Sequence, residues 1–461
     1  MHARSFCGPS NRLLTLVLGC LLLSLGARWL LHGIYQLAIT DWSLSWHYDA
    51  AVDWAAAQLF WQDISPYSSE GLELIGVAHT GFGHPPTTAF WFLPLAQFDE
   101  HTMAHILGLL NMGMLLSLVA TVVFTLRYPL PWLTTLVVFG YLQDSTVTFD
   151  HNQIVQLSVA IAFGTVVAWR FLRDRRDLAG GTAFGLVCTL KPFPGVIGLL
   201  LLLTGRFRAI AAATVAFLAV AGVMTRRFGV DSWSLFAEQQ QGIARYWMDS
   251  IRNASVQGVL RRMLRPRCGR AQLEEVHLKL ITLGACALLL VFCTWVALRA
   301  LRRRPGPGTF DLGYALFCVL ATFINPWVWE HYVFVLVLPV LVAVRTLGDY
   351  LVSSWRAWSV GALSHAAQLR TTLLSAAGLV PLLVLPHWSQ VNFNTNRLAT
   401  RHYCDTATTP EIKAWLLDHA RYLELTSWLP WALTLAILVV LLLVCGRSEL
   451  GPPARAPEPA A

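Results

Sequence analysis

Charge is scarce in this sequence: only 13% of its 461 residues are Asp, Glu, Lys or Arg, against about a quarter in soluble domains. With 56% hydrophobic residues, no soluble fold hides so much apolar surface, and lipid must cover part of it. Other absences narrow the chemistry. There is no Gly-rich phosphate loop, no metal-ligand spacing and no Ser nucleophile elbow. No metal or cofactor is therefore expected, and an activated donor, if one is used, does not arrive as a soluble nucleotide. No internal repeat is visible, which argues against the paired halves of a transporter. The nine cysteines lie mostly inside apolar runs (Cys20, Cys188, Cys286, Cys293, Cys318, Cys445) and read as small core residues. Cys268 and Cys404 fall in polar loops on one face, where a disulfide stays open.

What is present is a series of apolar runs, near 13–34, 103–126, 130–143, 153–171, 178–191, 193–204, 207–224, 277–299, 310–325, 332–345, 371–388 and 428–445. They predict an all-α polytopic membrane protein of about 12 transmembrane helices. Several runs are shorter than the ~20 residues of a straight span and need protein around their ends. The segment 84–98, opened by His84-Pro85-Pro86, reads as a short span or a re-entrant helix. The formal charge of +8 is not a nucleic-acid signal, because Arg clusters at the ends of apolar runs. Arg170 to Arg176, Arg206 with Arg208, and Arg299 to Arg304 mark the cytoplasm. The opposite face then holds the long loops 35–83, 225–276 and 389–427, with Arg226, Arg227, Arg261, Arg262 and Arg265 against the rule. Residues 1–445 form one integral-membrane domain, its first span retained and the N-terminus cytoplasmic. Residues 446–461 form a disordered cytoplasmic tail. Stretches such as Asp49–Gln62 and Ser234–Met248 predict amphipathic helices along the membrane surface.

Polar residues gather on that outer face. On a helix from 49 to 62, Asp49 and Asp53 sit one turn apart, and two such carboxylates beside aromatic rings can supply a base. Capping a helix N-terminus is the plainer account of the pair. Asp150-His151-Asn152-Gln153 opens a span and offers donors to sugar hydroxyls or phosphate, or else simple capping. Lys191, in Lys191-Pro192-Phe193-Pro194, stands at a break between two apolar halves. It suits an anionic ligand, or it snorkels. Asn325-Pro326-Trp327-Val328-Trp329-Glu330-His331-Tyr332 places Glu330 and His331 among tryptophans; an interfacial aromatic belt accounts for the rings but not for these two. Asn253-Ala254-Ser255 fits a glycosylation acceptor.

In this order, these patches resemble glycosyltransferase family 87, integral-membrane enzymes of the GT-C type that include mycobacterial polyprenyl-phosphomannose-dependent mannosyltransferases. The spacing from Asp49 to Pro66-Tyr67, then His84-Pro85-Pro86 with Phe92-Leu93-Pro94-Leu95, then His151-Asn152-Gln153, Lys191-Pro192-Phe193-Pro194, Asn253-Ala254-Ser255 and Trp329-Glu330-His331-Tyr332 carry the likeness. It runs from about residue 40 to 345. Two positions depart: the family usually has an aromatic where Asp53 stands and Tyr where His84 stands. The resemblance implies a GT-C-type bundle in the plasma membrane, with an extracytoplasmic site. There a sugar, mannose ahead of arabinose, passes from a polyprenyl-phosphate donor to a glycolipid or lipoglycan acceptor, as in cell-envelope glycan synthesis. Asp49 or Asp53 is the implied base, Lys191 and His331 meet the phosphate, and Asn152, Gln153 and His151 position the donor. Glu330 orients His331 or binds a sugar hydroxyl. A transporter or flippase and a scaffold subunit are the rival classes.

Overall fold

The computed structural model describes residues 48–76, 82–145, 156–247, 255–264, 275–326 and 330–359, with isolated positions at Ser24, Leu31, Asn253, Val328 and 26–28. The spans expected at 371–388 and 428–445, the loop 389–427, the tail, Cys268 and Cys404 lie outside these residues, as does nearly all of 13–34.

The described residues are mostly helical, with no strand among them. In chain order the α-helices are α1 Tyr48–Trp61, α2 Ser69–Leu74, α3 Ala89–Phe92, α4 Glu100–Thr125, α5 Pro131–Gln143, α6 Ser158–Arg173 and α7 Asp177–Leu190. There follow α8 Val196–Leu203, α9 Phe207–Phe228, α10 Asp231–Trp247, α11 Val256–Leu264, α12 Glu275–Arg303, α13 Pro307–Ile324 and α14 Val337–Ser359. Short 3-10 turns occupy Pro86–Thr88, Phe193–Gly195 and Glu330–Leu336. Local signals set many ends. The Asp99 carboxylate accepts from Thr102 N at 2.9 Å and opens α4. Pro131 starts α5, and Gly229, at φ +81°, follows the last residue of α9.

Four described helices, α4, α9, α12 and α13, are long and apolar enough to cross a membrane. Their burial runs against their hydropathy. The window in α12 has a mean hydropathy of 2.4 and is only 22% buried, whereas that in α13 has 1.4 and is 72% buried. Leu280, Leu283, Leu288, Val291 and Trp295 of α12 face outward. In water this arrangement is unstable; in lipid it is the expected one, with the most apolar helix on the periphery. Within 84–98 the only α-helix has four residues, too short to cross a membrane by itself.

Helices α6, α7, α8, α9 and α13 run up and down between two polar ends. At one end Arg173 Nε lies 3.0 Å from both oxygens of Asp311, which also accepts from Trp169 Nε1 at 3.0 Å. There too Arg206 bonds Asp177 at 3.1 Å and stacks 4.3 Å from the Phe310 ring. These are the arginines that the sequence assigns to one side of the membrane. Asp311 is only 5% exposed, and Asp311→Ala strands a guanidinium and an indole N–H in poor solvent. The expected loss is about 3 kcal/mol of stability, read as a lower midpoint of thermal unfolding in detergent. An unchanged midpoint contradicts a structural role for this pair.

The closest helix contact is α7 on α9. A Cβ on Gly181 would fall 2.1 Å from Ala209 O, and one on Gly185 2.2 Å from Ala213 O. Only glycine at this four-residue spacing lets the backbones meet, as in small-residue seams between membrane helices. The seam fixes α7, and with it Lys191 immediately beyond its end.

Candidate active site

At the end opposite Asp311, distant stretches of sequence are tied together by hydrogen bonds. Asp53 lies on α1 with its side chain 1% exposed, and its Oδ1 is 2.7 Å from His84 Nδ1. Tyr67 donates its hydroxyl to the carbonyl of His84. Burial and, second, the Asp53 carboxylate raise the pKa of Tyr67 well above the ordinary phenol value, so it stays a donor. Helix α10 fastens the same segment. Phe82 N donates to Gln239 Oε1 at 2.7 Å, Gln239 Nε2 donates to Tyr67 O at 3.3 Å, and Gln240 donates to Gly83 O. Arg227, one of the arginines at odds with the charge rule, binds Asp63 at 2.9 Å and donates to Phe60 O at 3.0 Å. Its work is to hold the end of α1 onto the end of α9.

Beyond His84 the chain docks on the C-terminus of α7. Thr87 Oγ1 donates to Thr189 O at 2.7 Å, Thr88 Oγ1 to Leu190 O at 2.8 Å, and Trp91 Nε1 to Thr189 Oγ1 at 2.9 Å. A helix leaves its last carbonyls unsatisfied, and here side chains from another segment meet them. That is how a 14-residue helix, about 21 Å long at 1.5 Å per residue, ends inside protein. Lys191 follows in extended backbone, because Pro192 disfavours helix at the preceding residue. Its cation sits at the negative end of the α7 dipole, with Nζ 3.4 Å from Tyr332 Oη and 5.3 Å from the Tyr332 ring centroid. The Phe193 and Tyr332 rings are 5.1 Å apart. The Lys191 and Glu330–Tyr332 motifs, 139 or more residues apart, thus share one site.

A third tie joins Asn253-Ala254-Ser255 to the same region. Asn253 and Ser255 are buried. Asn253 Nδ2 and Ser255 Oγ both donate to Pro326 O at 2.9 Å, and Asn253 Oδ1 accepts from Val328 N at 3.0 Å. The glycosylation reading is therefore corrected: the amide that would carry a glycan is enclosed and bonded, and it anchors the chain that leads into Glu330 and His331. Asn253→Ala removes three hydrogen bonds, counting Ser255 N to Oδ1 at 3.1 Å. It is expected to cost about 2–3 kcal/mol, measured by thermal unfolding. Intact stability contradicts the anchoring role.

The sequence-derived candidates fare unequally. Asp53, Lys191 and the backbone of Glu330 and His331 are brought into this region, the last two at the start of the Glu330–Leu336 turn. Asp49 stands one turn before Asp53 on α1, its side chain outside the described residues, as are those of Glu330 and His331. His151, Asn152 and Gln153 lie wholly outside them. His84, Tyr67, Gln239 and Gln240 were not anticipated as site residues. The two positions that depart from the family pattern, Asp53 and His84, turn out to be a single hydrogen-bonded pair.

A helical membrane protein with a buried polar cluster at one end of its bundle is suited to act on a lipid-borne substrate. The family model for glycosyltransferase family 87 matches residues 82–326, more than half of the 461-residue chain. The chain belongs to glycosyltransferase family 87 and is a glycosyltransferase. No curated protein and no solved structure matches it. The matched region includes His84, Lys191 and Asn253 but begins after α1, so Asp49 and Asp53 rest on the structure and the sequence alone.

Proposed function

We propose that this glycosyltransferase moves mannose from a polyprenyl monophosphate to a hydroxyl of a glycan or glycolipid, with inversion, on the outer face of the plasma membrane. The observation that carries the reading is the meeting of Lys191 with the Glu330–Tyr332 turn at the end of the bundle opposite the arginine-rich end. A cation at the negative end of a helix, beside a tyrosine, suits a lipid phosphate arriving from the membrane. On this reading the bundle is of GT-C type and its site opens to the outer face, with the three ties above holding together the segments around it.

In the proposed reaction the acceptor oxygen attacks the anomeric carbon from the side opposite the phosphate. The new C–O bond forms as the bond to phosphate oxygen breaks, and a β-linked donor gives an α-linked product. Asp49 takes the hydroxyl proton, and polyprenyl phosphate leaves with one more negative charge. Lys191 and His331 meet that charge, with Asn152, Gln153 and His151 positioning the donor and Glu330 orienting His331 or holding a sugar hydroxyl. Asp53, the reserve candidate for the base, is buried against His84 and acts through it. Groups that bind the product phosphate better than the donor phosphodiester accelerate the step.

The test is transfer by purified protein in detergent from polyprenyl-phosphate mannose and, separately, from the arabinose analogue, to a mixed glycolipid pool. Mannose transfer is expected. Transfer of arabinose alone moves the assignment to an arabinofuranosyltransferase. Transfer of neither sugar by folded protein overturns the reading of donor class.

A further inference from the structure

His84 stands out because its surroundings determine which of its atoms can do chemistry. Its Nδ1 is 2.7 Å from Asp53 Oδ1. A carboxylate only accepts hydrogen bonds, so the ring proton sits on Nδ1 and the Nε2 lone pair points away from Asp53. Asp53 is 1% exposed and His84 15%, so the pair runs from the interior toward the surface of the site. The backbone on either side of the ring is clamped: Tyr67 donates to the His84 carbonyl, Gln240 to the Gly83 carbonyl, and Phe82 N to Gln239. The Phe82 ring lies edge-on at 6.0 Å. Among the described residues Nε2 has no hydrogen-bond partner. A rigid acceptor set beside an aromatic ring, on the segment that docks at Thr87 and Thr88 on the α7 terminus next to Lys191, suits a sugar hydroxyl.

We propose that His84, held in one tautomer by Asp53, is a sugar-binding residue of this site, its Nε2 accepting a hydrogen bond from a hydroxyl of the donor or the acceptor sugar. The inference rests on the glycosyltransferase reading and adds a specificity-determining residue to it. It also carries a pH dependence. Among the described residues the ionisable groups next to His84 are Asp53, at its Nδ1, and Tyr67, at its carbonyl and kept as phenol by burial and by Asp53. Helix α10 meets this segment through the amides of Gln239 and Gln240, and the Thr87–Thr88 contact is made by hydroxyls and carbonyls. A second proton therefore goes to Nε2, where it converts an acceptor into a donor beside a sugar hydroxyl.

The experiment is steady-state transfer by wild type, His84→Ala and Asp53→Asn, with KM measured separately for donor and acceptor from about pH 8 to about pH 5. In wild type, KM for one substrate is expected to rise as the pH falls. In His84→Ala that KM is expected to be about five- to tenfold higher and flat with pH, with kcat changed less. Asp53→Asn keeps the volume but frees the tautomer, and is expected to raise the same KM by a smaller factor. Which KM moves tells whether the donor or the acceptor sugar is held. Folded His84→Ala with both KM values and their pH dependence intact overturns the proposal. So does a lowered unfolding midpoint with the wild-type pH profile of KM retained, the signature of a purely structural tie. If His84→Ala does not fold, Asp53→Asn and His84→Gln carry the same measurement. Absence of transfer by the wild type is a different failure: it overturns the donor reading, and this inference falls with it.

Discussion

Asp49→Asn is expected to lower kcat for sugar transfer by about 10²–10⁴-fold, the range for removal of a positioned general base. The argument begins with α1. Its backbone holds Asp49 and Asp53 on one face a turn apart, and Asp53 is already committed to His84 at 2.7 Å. A carboxylate only 1% exposed and fixed on an imidazole can orient that ring but is poorly placed to meet an incoming hydroxyl. In the proposed mechanism the proton-accepting role therefore goes to Asp49. The substitution keeps size and hydrogen-bonding capacity, so KM for both substrates should change little and the unfolding midpoint should hold. Turnover by the asparagine variant within a few fold of wild type, from whichever sugar donor proves active, would falsify the base assignment. Asp53→Asn makes the contrast: its expected effect lies in KM and its pH profile, because in the proposed arrangement Asp53 works at one remove from the substrate.

Much of the bundle was legible because membrane helices announce themselves as apolar runs closed by arginine. The expectation of 178–191 met a helix at Asp177–Leu190, and that of 103–126 met Glu100–Thr125. Where the reading slipped, the cause was backbone geometry that hydropathy does not encode. The run at 332–345 hides a change of helix type: Glu330–Leu336 winds as a 3-10 turn and the α-helix begins at Val337 and continues to Ser359. Such a long 3-10 stretch is uncommon, and no local residue signals it. At the site, the break at Lys191 could be read because proline dictates it. The Asp53–His84 pair could not, since 31 residues separate partners that share no pattern. Gly181 and Gly185 were open to reading as a small-residue seam and passed as an ordinary apolar run. Asn253 was misread because a three-residue motif carries no information about burial.

Lys191→Met is expected to lower kcat by about 10²–10³-fold, with a smaller change in donor KM. In the proposed reaction the donor phosphodiester carries one negative charge, and the departing polyprenyl phosphate carries two. A cation beside that oxygen gains strength as the bond breaks, so its loss appears in the chemical step more than in binding. The structure supplies the preorganisation: the Gly181 and Gly185 seam seats α7, Pro192 ends it, and the Thr87 and Thr88 hydroxyls hold its last carbonyls. Lys191→Arg keeps the charge but spreads it over a planar fork, and should recover part of the loss. Tyr332→Phe is the control for a merely structural lysine. It removes the 3.4 Å contact yet keeps the Phe193 ring packing at 5.1 Å, and should cost about tenfold or less. Equal losses from Lys191→Met and Tyr332→Phe, with arginine no better than methionine, mean that Lys191 serves the fold and that the phosphate charge is met elsewhere, His331 first.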